Sequence, residues 1–223
     1  MMSAPALIHA SRITLHSNAR AHRARYTRIG EATGMDTRFH REQLIHILQR
    51  AYSGECAAGY AYRGHWKSVK KPTERQRIQQ IEREEWIHRE GVGRMLEHLG
   101  AQPIRRLEAK LWLIGHVIGL SCHFIGWFLP MYFAGRLENG NVDEYVQAAS
   151  HAGELGLSEF AAELRQMAEV ERQHELFFLS VITGHRLLPL MQAVFKWGLA
   201  APSAMPQPLS SASSAVDDNR PII

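Results

Sequence analysis

From Thr37 to Trp66, apolar side chains return at three- and four-residue steps through Leu44, Ile47, Leu48, Ala51, Tyr52 and Ala58, a period that predicts one long helix. Pro72 and Thr73 break the chain and open a second helix. Along it Ile78, Ile81, Glu85, His88, Val92, Met95 and Leu99 keep helical spacing until Gly100 and Pro103. Leu107 to Leu129 is the most apolar stretch and is long enough to test as a membrane span. His116 and His123 interrupt it, Gly115, Gly119 and Gly126 thin it and Pro130 closes it, so a core or interfacial helix is preferred over a span. Asn139, Gly140 and Asn141 then punctuate the chain before helical spacing resumes near Tyr145. Ser158 to Val181 and a short apolar segment, Leu187 to Leu199, complete the pattern. The expected divisions are a flexible basic arm over 1–36, a helical bundle over 37–201 and a disordered Pro/Ser/Ala-rich tail over 202–223.

Composition supports an all-α protein: 18 of the 22 acidic residues are Glu, the better helix former, and two of the four Asp sit near the end of the chain. A length of 223 residues suits one core plus tails, and 45% hydrophobic content excludes a wholly disordered chain. The charge of +4 permits nucleic acid or a phospholipid surface as partner without selecting either. Cys56 and Cys122 share no CxxC spacing, which argues against a disulfide framework or a thiolate metal site and for a reducing compartment. The Arg-rich stretch before Glu31 lacks the apolar run of a secretory signal; it suits a transit peptide in a eukaryote and a basic arm in a bacterium.

The 13 histidines are a large supply for this length and need an account. Two Glu-x-x-His pairs occur, Glu85 with His88 and Glu171 with His174, and i, i+3 spacing puts both side chains of a pair on one helix face. Chance alone supplies about one such pair at this composition, so the pairs need support. It comes from Glu55, 30 residues before Glu85, and Glu138, 33 residues before Glu171: one helix out, a turn and one helix back. The chain therefore carries Glu, then Glu-x-x-His, twice over four helices, the ligand set of carboxylate-bridged di-iron and di-manganese bundles. Four carboxylates balance the charge of two divalent ions, and two imidazoles leave open positions for dioxygen. Taken singly, Glu85 in the polar run 82–85 and Glu171 read as solvated surface acids. Glu55, among small and aromatic residues, does not. His65, His98, His116, His123, His151 and His185 read as ordinary core or surface histidines.

At these residues, roughly from Leu44 to Leu199, the sequence resembles the demethoxyubiquinone hydroxylases, ferritin-like di-iron monooxygenases of ubiquinone biosynthesis. The likeness lies in the Ser-Gly-Glu segment at Glu55, the Glu85/His88 pair, the helix with Gly115, Gly119 and Gly126, Glu138, and Glu171 with His174 before a last apolar helix. It implies a ferritin-like four-helix bundle with an additional C-terminal helix, binding two iron ions, alternatively manganese, through Glu55, Glu85, His88, Glu138, Glu171 and His174. It further implies dioxygen as co-substrate, a quinone-like or aromatic apolar substrate, and electrons from NADH or a reductase, since no glycine-rich nucleotide motif is present. Peripheral membrane contact follows too, on the inner face of the cell membrane in a bacterium or the matrix side of the mitochondrial inner membrane in a eukaryote. Tyr52, Tyr145 and His151 are candidates to surround the ligands.

The chain departs from the family where Glu144 and Tyr145 replace a His-Tyr pair and where Tyr52 and Ser53 replace His and Ala. Gly140 leaves the helix register open, so Glu144 rivals Glu138 as third-helix ligand, with spacing favouring Glu138. Competing readings are a tRNA-modifying oxygenase on the same bundle, a ferritin-like protein that only binds or stores metal, and a metal-free helical interaction protein. Nucleic acid is the less favoured partner, and a homo-oligomer is left open.

Overall fold

The computed structural model describes the backbone of residues 7–198 and, from Asp36 on, their side chains. Every regular element among them is a helix: α1 (Leu7–Ser68), α2 (Pro72–His98), α3 (Arg105–Ser121), α4 (Phe128–Glu154), α5 (Ser158–Ile182) and α6 (Leu188–Phe195). The first compact unit ends at His185 and holds α1 to α5; the second begins at Arg186 and holds α6. The tail expected over 202–223 lies outside the described residues.

Short connections make α1 and α2 one antiparallel hairpin and α4 and α5 another, and α1 lies against α4 while α2 meets α5. The long crossover from α2 to α4 carries α3, the connectivity of a ferritin-like bundle with a single crossover. One end of the bundle is an apolar core in which Leu44 and Leu48 of α1 meet Met95, Leu96, Ala148 and Leu164. Small residues on α4, Ala148, Ala149 and Ala152, are almost fully buried.

Three sequence expectations are corrected. α1 begins at Leu7 rather than Thr37, so the helix is longer at its start than the apolar spacing predicts. No Pro or Gly interrupts residues 7–29, and their Ala and Arg are good helix formers. α4 runs unbroken through Asn139, Gly140 and Asn141 because its inward stripe Met131, Ala134, Glu138, Val142 and Tyr145 never loses step, and this packing outweighs the local turn preference. The apolar stretch Leu107–Leu129 is not one element: α3 ends at Ser121, Gly126 adopts a left-handed φ of 81°, and α4 begins at Phe128.

No helix among the described residues is long and apolar enough to cross a membrane. α3 instead lies on α1 through glycines. Gly115 faces the backbone of Ala57 and Gly119 that of Tyr60 and Gly64, at separations that leave no room for a Cβ. Its opposite side leaves Trp112, Leu113, Val117 and Leu120 exposed, and Phe124 follows at 79% exposure.

Candidate metal centre

The four bundle helices each bring a carboxylate to the middle of unit one. Glu55 of α1, Glu85 of α2, Glu138 of α4 and Glu171 of α5 are all buried, as are His88 and His174. The stripe that packs each helix is the reason: Glu85 and His88 take the positions between Ile81 and Val92 that an apolar residue would otherwise fill. All six residues singled out by spacing are thus brought together. Their donor atoms form two groups, Glu85, Glu138, Glu171 and His174 in one and Glu55, His88 and Glu171 in the other, with Glu171 common to both. Glu144 is not among them. Continuity of α4 turns it outward to an ion pair with Arg50, which leaves Glu138 in the cluster.

Distances within the cluster are those of groups facing a shared centre. His88 Nδ1 lies 2.7 Å from Glu171 Oε1, and His174 Nδ1 lies 3.3 Å from Glu85 Oε1 and 3.5 Å from Glu171 Oε2. None of these approaches is aligned as a hydrogen bond. Glu55 Oε2, both oxygens of Glu85 and of Glu171, and Nδ1 of His88 and His174 are buried with no hydrogen-bond partner. Native interiors pair nearly all such atoms, so this many orphans in one place fits a missing cation. Buried carboxylates with one imidazole in each group are a donor set that could hold a metal cation, whose charge would offset theirs.

Electrostatics carry the same signature. Burial pushes the carboxyls of Glu55, Glu85 and Glu138 upward, and the charge on Glu171 pushes each further. Burial opposes ionisation of Glu171 as well, but His174 and His88 outweigh it and hold that group below the usual carboxylate range. Burial likewise works against the His88 and His174 imidazolium forms, and Glu171 overcomes it in both.

The surrounding residues are arranged in a reciprocal pair. Tyr62 of α1 donates its hydroxyl hydrogen bond to Glu138 of α4, and Tyr145 of α4 donates to Glu55 of α1. Each tyrosine lies seven residues after the glutamate of its own helix, so the Glu-x6-Tyr spacing, repeated at Glu55 and Glu138, was the sequence signal for Tyr62. Asn141 Nδ2 donates to the second Glu138 oxygen at 3.1 Å. Glu84 accepts from His174 Nε2 at 2.7 Å and is itself held by Arg77 and Gln80; these contacts keep its carboxyl down at about 2 against the opposing effect of burial. That bond leaves Nδ1 of His174 free to face the cluster. Tyr52 and His151, by contrast, do not join the site. Tyr52 lies under the Arg89 guanidinium at 3.9 Å, and His151 Nδ1 pairs with His40 Nδ1 at 2.9 Å.

Compared with known proteins, the chain matches no family model, no curated protein and no solved structure. The geometry of the site therefore carries the functional argument.

One cavity opens onto the cluster. It has a volume of about 520 Å³ and lies between α1, α3 and α4. Its buried end holds Glu55, Tyr62, Glu138 and Tyr145, while Ala57, Ala61, Ile118 and Phe133 make its walls apolar. Ile114, Ile118, Ile125 and Leu137 line it and are also exposed, which puts the mouth beside the apolar outer side of α3.

Proposed function

We propose that the protein is a di-iron monooxygenase that hydroxylates an apolar, quinone-like or aromatic substrate taken from a membrane surface. One observation carries this reading: a buried six-residue carboxylate and histidine cluster meets an apolar cavity through Glu55 and Glu138. A site built only to store metal has no need of a substrate-sized apolar chamber against its ligands. The resemblance of the Glu55, Glu85/His88, Glu138 and Glu171/His174 pattern to the demethoxyubiquinone hydroxylases supports the same reaction class.

The six cluster residues would hold the two ions, Glu171 being common to both donor groups and His88 and His174 supplying one nitrogen donor to each. Bound iron supplies dioxygen activation and redox capacity there. The chain's own groups do the rest. Tyr62 and Tyr145 fix the carboxylates of Glu138 and Glu55 and keep a phenolic proton beside the cavity, while the apolar walls exclude water from the substrate. Electrons come from outside, from NADH or a reductase. The exposed apolar side of α3 beside the mouth, with Arg105, Arg106 and Lys110 on the same helix, suits a helix lying in the interface of an anionic membrane, on its cytoplasmic or matrix face.

Anaerobic reconstitution with ferrous iron tests the metal. About two ions per chain are expected for this ligand set, and a stoichiometry far below that overturns the reading. Oxygen exposure of the loaded protein with NADH, a reductase and a short-tailed demethoxyubiquinone should then give product carrying one atom from ¹⁸O₂.

A further inference from the structure

One residue lining the cavity carries a buried polar atom that neither the fold nor the metal cluster uses. His65 stands on α1 three residues beyond Tyr62, is 3% exposed and lines the cavity with Glu55, Tyr62 and Glu138. Its ring lies nearly parallel to two others, Tyr62 at 6.3 Å and 21° and Phe178 of α5 at 6.1 Å and 11°, and these two are 5.8 Å from each other, so the three rings form a triangular cluster. These contacts set the plane of the imidazole. Its Nε2 has no hydrogen-bond partner among the described residues. Elsewhere in unit one the buried orphan atoms belong almost entirely to the metal cluster, where cations would satisfy them.

A cation does not explain His65. It belongs to neither donor group, and its neighbours in the stack are a tyrosine and a phenylalanine rather than carboxylates. Burial lowers its pKa to about 4, so at neutral pH the ring is uncharged and its unpartnered Nε2 is a neutral hydrogen-bonding site. An uncharged post on an apolar wall, beside flat rings, is complementary to an apolar ring that carries one oxygen. A phenolic hydroxyl both donates and accepts and satisfies either tautomer of His65, whereas a quinone carbonyl requires the Nε2–H form.

We propose that His65 hydrogen-bonds the ring oxygen of an apolar phenol, hydroquinone or quinone and thereby selects the substrate and orients it toward Glu55 and Glu138. The inference rests on reading the cavity as the substrate chamber. His65 is a positioning and specificity residue: it stacks on Tyr62, which bonds Glu138, so an anchored ring lies one side chain away from the ligand set.

Binding of two probes, 4-decylphenol and decylbenzene, to the full-length protein separates the possibilities, because they differ only in the oxygen. One neutral buried hydrogen bond should make the wild type prefer the phenol about tenfold more than His65→Phe does. His65→Phe keeps the ring stack, and His65→Gln, which returns an amide to the wall, should restore part of the preference. An equal phenol-to-hydrocarbon ratio in wild type and His65→Phe overturns the role of His65 alone. Failure of both probes to bind the wild type overturns the substrate chamber and the inference with it. Should His65→Phe not fold, the wild type still decides: the ¹⁵N resonance of His65 Nε2 must shift with 4-decylphenol and not with decylbenzene, and an unmoved resonance refutes the contact. Adding 2-decyl-1,4-benzoquinone to the same sample distinguishes the two oxygen classes, since only the Nε2–H tautomer will bind it.

Discussion

Replacing Gly64 with alanine sets a methyl group into the seam where α3 lies on α1. The added Cβ overlaps the backbone of Gly119, and the reciprocal change at Gly119 puts a Cβ 2.8 Å from the Tyr60 carbonyl oxygen and 3.3 Å from Gly64 Cα. All of these are backbone atoms, so no rotamer change relieves the clash. Recovering an ordinary contact of 3.4 Å from 2.8 Å means moving α3 outward by about 0.6 Å for Gly119→Ala, and further for Gly64→Ala. Overpacking of this kind costs about 1–3 kcal/mol, against which helix propensity returns about 1 kcal/mol. Gly64→Ala, whose Cβ would lie nearer still to backbone, takes the upper part of that cost, about 2–3 kcal/mol, so the net loss of about 1–2 kcal/mol corresponds to roughly 2–8 °C in Tm for a domain of this size. Calorimetry gives the shift, and hydrogen exchange locates it: amides of α3 should exchange faster while those of α5 keep their protection. Gly140→Ala is the control. Gly140 has no neighbour within 4 Å of a Cβ and sits inside α4, so the change should stabilise by about 0.5–1 kcal/mol. An unchanged Tm and unchanged α3 protection in Gly64→Ala would show that this glycine seam does not hold α3.

Glu171→Gln removes the one carboxylate shared by both donor groups, so metal analysis after ferrous reconstitution should find both ions depleted; two retained ions would refute the shared role. Glu84→Gln leaves the ligands intact but loosens His174, and should weaken one of the two ions by about 10–100-fold, seen as a biphasic metal titration. His65 is buried neutral with a pKa near 4, below its unfolded value near 6.5, so its contribution to stability is complete above about pH 6.5 and is lost as pH falls toward 4. Urea unfolding over that range should show a decline about 3 kcal/mol steeper in wild type than in His65→Phe, and parallel curves would count against a buried neutral ring. Leu113→Glu and Val117→Glu place charge on the exposed side of α3 and should abolish flotation with anionic vesicles while leaving iron content unchanged; undiminished flotation would move the membrane contact elsewhere.

The bundle and its polar centre were legible in the chain to different depths. α2 and α5 could be placed to within a residue or two because Pro72 and the Leu157–Ser158 boundary punctuate strong stripes. Glu55, Glu85, His88, Glu138, Glu171 and His174 emerged from a spacing that repeats over two hairpins, information that survives without coordinates. Glu138 could not be separated from Glu144 until α4 was seen to pass straight through Gly140, because a local turn signal and a long-range packing stripe conflict there. Glu84 carried no signal of its own. It lies in a run of surface charge, and only the approach of α5 turns it into the partner of His174. The division of Leu107–Leu129 was equally hidden, since apolarity alone does not separate a helix clamped by Gly115 and Gly119 from one surrounded by lipid.

The two hairpins are related by an approximate twofold correspondence, and its violations give the centre a direction. Glu55 and Tyr62 on α1 answer to Glu138 and Tyr145 on α4, and Glu85 and His88 on α2 answer to Glu171 and His174 on α5. The residue before Glu171 that would correspond to Glu84 is Val170, which offers no acceptor, so the imidazole constraint seen at His174 is absent from that position for His88. α3 covers α1 and brings the cavity to Glu55 and Glu138, the two carboxylates already held by tyrosines, whereas Glu85 and Glu171, with both oxygens unpartnered, do not line it. The carboxylates nearest the cavity are thus fixed by hydrogen bonds within the protein, and those away from it keep their lone pairs for cations. The polar centre is therefore asymmetric: the side that whatever enters the cavity would meet is built of the tyrosine-held carboxylates Glu55 and Glu138, with Glu85 and Glu171 behind them.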